Sequence, residues 1–171
     1  MRTEKLMPAH LSRLYKPVGK IVIQWALTDS TLHHLAFAMF KKQGTTPKVE
    51  KWEKMFGPRL RLLETMFQRP MFMSFANEAK EIFADVRHVQ DLRDYLVHGT
   101  AVRYVPERDA IVFERIDKAT KDEIRANPEQ THTLSKLLVS FSELAVASDI
   151  CFDINSKLLN LHAAVKSLKA P

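Results

Sequence analysis

The chain has 171 residues, a single cysteine and a formal net charge of +6. This length is enough for one domain with a sizeable core, and one cysteine excludes an internal disulfide and fits a reducing cytoplasm. The first residues lack the apolar segment of a signal peptide, and the most apolar stretch, Ile21 to Phe40, is interrupted by Asp29 and two histidines. We therefore expect a cytoplasmic protein with no membrane span. The positive charge is compatible with nucleic-acid binding, but many basic proteins bind no anion.

Four glycines and long runs of apolar residues at spacings of three and four predict a mostly helical protein. The residues up to Lys16 are basic and are expected to be loosely held. Pro17 is expected to open the first helix, because the first helical position needs no backbone N–H, and this helix runs to about Lys42. His33 lies in a polar band at the middle of the helix. This band is either a solvated face with one core histidine, or His33 or His34 helps to line a site with His98.

Two further helical segments follow. The first is expected to start at Thr45-Thr46-Pro47 and to run to about Gln68, with a break or kink at Gly57-Pro58. The second, the central helix, is expected to run from about Met71 to His98. Its apolar residues recur every three or four positions and define one buried face: Phe72, Phe75, Ala79, Ile82, Val86 and Val89.

After the central helix, the stretch from Ala101 to Ile116 alternates apolar and polar residues about a turn, as in a β-hairpin. A polar stretch from Lys118 to Gln130 follows, and Thr131 or Thr133 is expected to cap a last helix that continues to about Lys169. That helix would be about 50 Å long, so it would extend beyond a small bundle and offer a dimer contact. We therefore predict an all-α fold: a bundle of four to five helices in a single domain over residues 1–171, with a small β-hairpin insertion after the central helix.

The central helix closes on a charged motif, Arg93-Asp94-Tyr95-Leu96-Val97-His98, followed by Gly99, a residue typical of helix C-caps. Asp94 and His98 differ by about 40° around the helix, so their side chains can touch. Arg93 and His98 differ by about 140°, so one helix cannot easily present both to one small group. Either the long Arg93 side chain bends round the helix end, or a second copy of the chain supplies the missing half of the site.

This motif resembles that of the HEPN superfamily, in which an arginine is followed by a polar residue, three further residues and a histidine at the end of a long helix. The resemblance implies a HEPN-like helical bundle that forms a homodimer with the motif helices face to face. Catalytic members are metal-independent endoribonucleases, often toxins or phage-defence proteins. Other members have lost activity and serve as RNA-binding or assembly modules, so the partners implied are RNA, a second copy and, in some systems, an antitoxin or a nucleotidyltransferase.

The residue types suit this chemistry. RNA carries its own nucleophile, the 2′-OH; His98 is suited to take its proton, Arg93 to stabilise charge on the phosphate and Asp94 to orient the imidazole. Three further residues are weaker candidates for substrate binding: Arg87, Tyr95 and His33. The chain has neither a phosphate-binding glycine loop nor the Cys/His spacing of a metal site, so we expect no cofactor and no metal. The alternative is a non-catalytic HEPN-like dimer that binds RNA or protein, in which Arg93 pairs with a carboxylate and His98 simply complements the helix dipole.

Overall fold

The computed structural model describes residues 2–45, 56–118, 127, 129 and 132–169. Within these residues, no helix is long and apolar enough to span a membrane. Two short 3-10 turns are also described. Met73–Phe75 precedes the helix that begins at Ala76, and Pro106–Arg108 joins the strand that ends at Val105 to the strand that begins at Ala110. The described helices are α1 (Pro8–Lys42), α2 (Phe56–Phe67), α3 (Ala76–His98) and α4 (Phe141–Ser167), and the described strands are β1 (Glu4–Lys5), β2 (Thr100–Val105), β3 (Ala110–Lys118) and β4 (His132–Ser140).

The prediction of an all-α bundle with a small β-hairpin is wrong, because the described residues contain a four-stranded antiparallel sheet in the order β1-β2-β3-β4. The hairpin of β2 and β3 forms as predicted, but it is the centre of this sheet and not an isolated insertion. β4 pairs with β3 along its whole length, and β1 pairs with β2 through Glu4 and Lys5, in a segment that we predicted to be loose. The protein therefore combines helices with an antiparallel sheet.

The error comes from His132–Ser140, which we predicted as the first turns of the last helix. Leu134, Leu137 and Leu138 have helical spacing, yet they lie in β4. Without β4, the outer edge of β3 would present a row of unpaired backbone N–H and C=O groups. Pairing satisfies those groups on both strands, which outweighs a weak helical pattern. Leu134 is accordingly 52% exposed instead of buried.

Helix α4 begins at Phe141 because Ser140 and Glu143 cap it. The Glu143 N–H donates to the Ser140 hydroxyl at 3.1 Å, and the Ser140 N–H donates to the Glu143 carboxylate at 2.7 Å. This reciprocal pair is a capping box, and an N-cap of this kind typically contributes about 1 kcal/mol. The backbone N–H and the hydroxyl of Ser140 also hold the pKa of Glu143 below its usual range.

The start of α1 also differs from the prediction, whereas the predicted start of the second helix is not tested. α1 begins at Pro8, so Pro17 lies inside the helix; the Met7 N–H donates to His10 Nδ1 at 3.2 Å, which supports the earlier start. Gly57-Pro58 lies in the first turn of α2, where the missing proline N–H is harmless. The predicted start at Thr45-Thr46-Pro47 and most of the polar stretch 118–130 fall outside the described residues.

The chain divides into two compact units, each built from two separate stretches. The sheet unit contains the residues up to Val22 together with Gln90–Ser148, and so includes the sheet and the C-terminal end of α3. The helical unit contains Ile23–Val89 together with the residues from Asp149 onwards. The single domain expected over residues 1–171 stays a prediction.

The core of the helical unit confirms the predicted face of the central helix. The ring of Phe67, at the end of α2, contacts the rings of Phe72 and Phe83 with centroid distances of 6.4 and 5.9 Å. Burial of a large apolar side chain contributes roughly 1.5–3 kcal/mol relative to exposure. Most residues of the predicted face are buried in the structure: Phe72, Ala79, Ile82, Val86 and Val89.

Candidate functional site at the end of α3

The motif residues lie on the last two turns of α3, within the sheet unit. Arg93 and Asp94 are half-buried, with 26% and 28% of their side chains exposed, and Arg93 Nη1 donates to Asp94 Oδ1 at 2.8 Å. This contact compensates the positive charge of a guanidinium at the edge of a buried face, where an unpaired charge is costly. The carboxylate that such an arginine needs is thus supplied by its neighbour in the sequence.

His98 is the last residue of α3, and its side chain is exposed. An exposed imidazole at a helix C-terminus is accessible to a substrate. The Asp94 carboxylate faces Arg93 in this structure. Its predicted role of orienting the His98 imidazole stays a prediction.

Position 99 requires a glycine because of close packing and not because of a left-handed backbone. Among the described glycines, a positive φ occurs at Gly44 alone. A Cβ at position 99 would lie 2.4 Å from the carbonyl oxygen of Tyr95 and 3.1 Å from that of Glu114. The Gly99 N–H donates to the Tyr95 carbonyl at 2.9 Å, and the next residue, Thr100, pairs with Glu114 in the sheet. His98 is therefore held between a helix end and the first residue of a paired strand.

Tyr95, one turn before His98, contacts an arginine that the sequence analysis missed. The Arg115 guanidinium on β3 lies 4.4 Å from the centre of the Tyr95 ring, a cation–π contact. Arg115 also forms an ion pair with Asp117 (Nε to Oδ1, 2.7 Å), and Ser135 Oγ of β4 donates to Asp117 at 2.5 Å. Ser135 and Arg115 together hold the pKa of Asp117 below its usual range. The sheet thus adds an arginine, paired with an aspartate, to the α3 end.

The signal that could have found Arg115 is the alternation of β3. Successive side chains of a strand point to opposite faces, so Phe113 and Arg115 share one face and Ile116 lies on the other. Phe113 is 4% exposed and Ile116 is 72% exposed, which shows that the Arg115 face packs inward. The sequence contains this alternation, but it does not show that the inward face reaches α3.

The other two predicted residues belong to the helical unit. Arg87 is exposed on α3 and pairs with Glu64 of α2. His33 is half-buried on α1, where its ring centroid lies 5.4 Å from that of Phe37. The structure assigns these two residues to a different unit from the four predicted residues at the α3 end: Arg93, Asp94, Tyr95 and His98.

A second polar cluster in the sheet unit surrounds Asp109, in the turn between β2 and β3. Arg13 donates to its two carboxylate oxygens at 2.8 and 2.6 Å, and the Tyr104 hydroxyl donates at 2.8 Å. Arg13 holds the pKa of Asp109 below its usual range, and Asp109 raises the pKa of Tyr104. Asp109 has a φ of 43°, which is unusual for a residue with a side chain. We therefore assign the cluster to stabilising this turn.

Cys151 is buried, which confirms the prediction that it is a core residue. Burial raises the pKa of its thiol to about 11, so it stays protonated at neutral pH. Within the part of the chain that the structure describes, no group of three or more His, Cys, Asp or Glu could hold a metal ion.

Comparisons with protein-family models, with curated proteins and with solved structures give no match to this chain. The HEPN resemblance therefore depends on the motif and on its place at the end of a long helix.

Proposed function

We propose that this protein is a metal-independent endoribonuclease of the HEPN type that acts as a homodimer. The observation that carries the proposal is the helix end itself, where an exposed His98 lies about one turn after a half-buried Arg93–Asp94 pair. Arginine, polar residue, three residues and histidine follow in the order of the HEPN motif.

The proposed reaction uses the 2′-OH of RNA as nucleophile. His98 of one copy takes the 2′-OH proton as the oxygen attacks phosphorus, and His98 of the other copy gives a proton to the leaving 5′-oxygen. Arg93 stabilises the negative charge that develops on the non-bridging oxygens. The products are a 2′,3′-cyclic phosphate and a 5′-hydroxyl, so no external oxidant, reductant or cofactor enters the reaction.

Arg115 supports the attraction of RNA to this face. Arg93 lies about 140° from His98 around α3, whereas Tyr95, which contacts Arg115, lies about 60° from it. Arg115 therefore places a guanidinium on the His98 side of the helix, where it contacts the Tyr95 ring and pairs with Asp117. We assign it to binding the RNA backbone, because phosphate contacts supply most sequence-independent affinity.

The homodimer in this proposal is supported by exposed apolar residues on α4. Phe152 and Leu159 lie on one line of the helix and are 64% and 56% exposed. Ser156 lies between them on this line, Ala163 follows Leu159, and both are also exposed. Exposed apolar residues that share one line of a helix can mark an interface, and the proposal requires a second copy because one site uses two His98 side chains.

A second candidate function is a non-catalytic HEPN-like dimer module that binds RNA or a protein such as an antitoxin or a nucleotidyltransferase. The Arg93–Asp94 contact favours it, because the arginine charge is already compensated within the helix. In that case the pair stabilises the helix end and no phosphodiester bond is broken.

The deciding experiment incubates the purified protein with a mixed RNA pool in EDTA and maps the new ends. We expect wild type to leave 2′,3′-cyclic phosphates, and we expect His98→Ala to lower the rate at least about a hundredfold. His88→Ala is the matched control, because His88 is an exposed histidine of the same helix that belongs to the helical unit. RNA binding without cleavage would support the binding module, and equal cleavage by wild type and His98→Ala would contradict the proposed site.

Subunit mixing tests whether both histidines act in one site. After exchange between equal amounts of wild type and His98→Ala, about a quarter of the dimers carry two intact histidines. At equal total protein, the proposal predicts a cleavage rate about a quarter of that of wild type. If each copy had one independent site, the mixture would retain about half of the wild-type rate.

A further inference from the structure

A cavity in the helical unit lies between the C-terminal parts of α1 and α4. Its volume is about 440 Å³, which falls in the range of small-molecule sites, roughly 300–1,000 Å³. The described residues that line it include two histidines, three lysines and a phenylalanine: His34, His162, Lys41, Lys42, Lys166 and Phe37. No residue of the α3 end takes part in it.

Hydrogen bonds fix α1 and α4 to each other on both sides of this cavity. Two turns before it, Asn155 Nδ2 donates to the Gln24 carbonyl at 2.8 Å, and Thr28 Oγ1 donates to Asn155 Oδ1 at 3.0 Å. At its other side, Lys42 Nζ donates to the carbonyl oxygen of Leu168. The cavity is thus part of a fixed helix pair and does not require a flexible segment.

The charge of the cavity is not balanced by its described lining, which contains five basic side chains and no carboxylate. Both helices end here, and each helix C-terminus carries roughly half a negative charge. Three lysines therefore leave a surplus of about two positive charges after both helix ends are offset. Lys42 is engaged with Leu168, whereas Lys41 and Lys166 form no ion pair with the described residues. A phosphate group is the anion that two such ammonium groups bind well.

Flat rings form the other part of the lining. The rings of His34 and His162 have centroids 6.4 Å apart and planes that differ by 26°, and Phe37 is 38% exposed. Burial lowers the pKa of His162, and Lys166 and His34 lower it further, so this imidazole is neutral at neutral pH. Aromatic and imidazole rings are the surfaces on which proteins stack nucleobases.

We propose that this cleft binds a nucleoside phosphate, with the base against Phe37 and the histidines and the phosphate between Lys41 and Lys166. The ligand is either a free mononucleotide or the terminal nucleotide of a nucleic-acid chain, since both present the same groups. The proposal does not depend on the ribonuclease activity, because the cleft and the α3 end share no residue.

Calorimetric titration with adenosine 5′-monophosphate (AMP) tests the proposal on the full chain. We expect Lys41→Ala and Lys166→Ala each to raise the Kd of wild type about tenfold, the loss of one charged contact to phosphate. Lys80→Ala is the matched control, because it removes the same charge at an exposed lysine of α3 in the same unit. A Kd that is equal in all four proteins would overturn the proposal.

Three further arms identify the source of the ligand and the role of the rings. A 5′-phosphorylated DNA hexanucleotide is used as the chain-end ligand, because it lacks the 2′-OH nucleophile and is not cleaved by the proposed reaction. It should bind more tightly than AMP if the cleft binds a chain end, and more weakly if the cleft binds a free nucleotide. Phe37→Leu should weaken AMP binding at least about fivefold and leave inorganic phosphate unaffected. Binding of inorganic phosphate as tight as that of AMP, or no binding of either nucleotide ligand, would overturn the proposal.

Discussion

The two histidine sites of this protein differ in how their positive charges are balanced. At the end of α3, Arg93 and Arg115 each pair with a carboxylate, Asp94 and Asp117. In the cleft between α1 and α4, the described lining contains only basic charges. A balanced site keeps its shape without a ligand and must exchange partners to bind an anion, whereas an unbalanced cavity is stabilised when an anion enters. The first arrangement suits the turnover of a substrate, and the second suits the retention of a bound ligand.

The largest effect is expected from Gly99→Ala, which disturbs the backbone packing at the end of α3. Its Cβ would meet the carbonyl oxygens of Tyr95 and Glu114 at 2.4 and 3.1 Å, and backbone atoms cannot move aside cheaply. We expect the free energy of unfolding to fall by roughly 2–3 kcal/mol, at the upper end of overpacking effects. Urea denaturation measures this loss of stability, and we expect the midpoint to fall while the m-value stays unchanged.

Gly19→Ala is the control for Gly99→Ala. Nothing lies within 4 Å of a Cβ at position 19, and the residue is inside α1. This change should raise the free energy of unfolding by roughly 0.5–1 kcal/mol, because alanine favours a helix interior over glycine. Equal effects of the two substitutions would show that the α3 end is not tightly held and that His98 is not fixed by packing.

A smaller effect is expected from Arg115→Gln, which removes one positive charge from the charge-balanced site at the end of α3. We expect the KM for RNA to rise about tenfold with little change in kcat, because the arginine attracts phosphate and takes no part in proton transfer. Arg103→Gln removes the same charge from an exposed position on β2 and should change neither value. A fall in kcat at constant KM would instead assign Arg115 to holding Tyr95 and the helix end in place.

The smallest effect is expected in the unbalanced cleft, where the pKa of His162 is lowered by burial and by Lys166 and His34. Its folded pKa lies below the unfolded value near 6.5, so the unfolded chain binds more protons in that interval. Wild type should therefore lose stability as the pH falls through and below 6.5, and His162→Gln should lose less. Denaturation at pH 5.5 and 7.5 measures the difference, and an identical loss in both proteins would show that His162 is not held neutral.

The sequence predicted the helical core well because that core is local and periodic. Val86 and Val89 are buried, as the spacing of three and four on the central helix indicates. The hairpin of β2 and β3 was also predictable, because two alternating runs flank a turn that contains Pro106 and Asp109. These features depend on neighbours in the chain and need no knowledge of distant contacts.

What the sequence could not predict depends on distant pairing. β4 carries a helical leucine spacing that is overridden by pairing with β3, although the Ser140–Glu143 capping box marked the true start of α4. Arg115 joins the α3 end only through the packing of β3. The cleft needs His34 and His162, which lie on helices at opposite ends of the chain. Neither residue forms part of a recognisable local motif.

The division of the chain has a consequence for its synthesis. Each compact unit combines an early stretch with a late one: the sheet unit needs residues before Val22 and residues up to Ser148, and the helical unit needs those from Asp149 onwards. Neither unit can close while the intervening residues are still being made, and the sheet unit becomes complete first. We therefore expect the sheet of a nascent chain to stay incomplete until β4 has been made, because β1 and β4 lie far apart in the sequence. A nascent chain that ends before His132 lacks β4 and exposes the edge of β3, which makes it a natural substrate for chaperones.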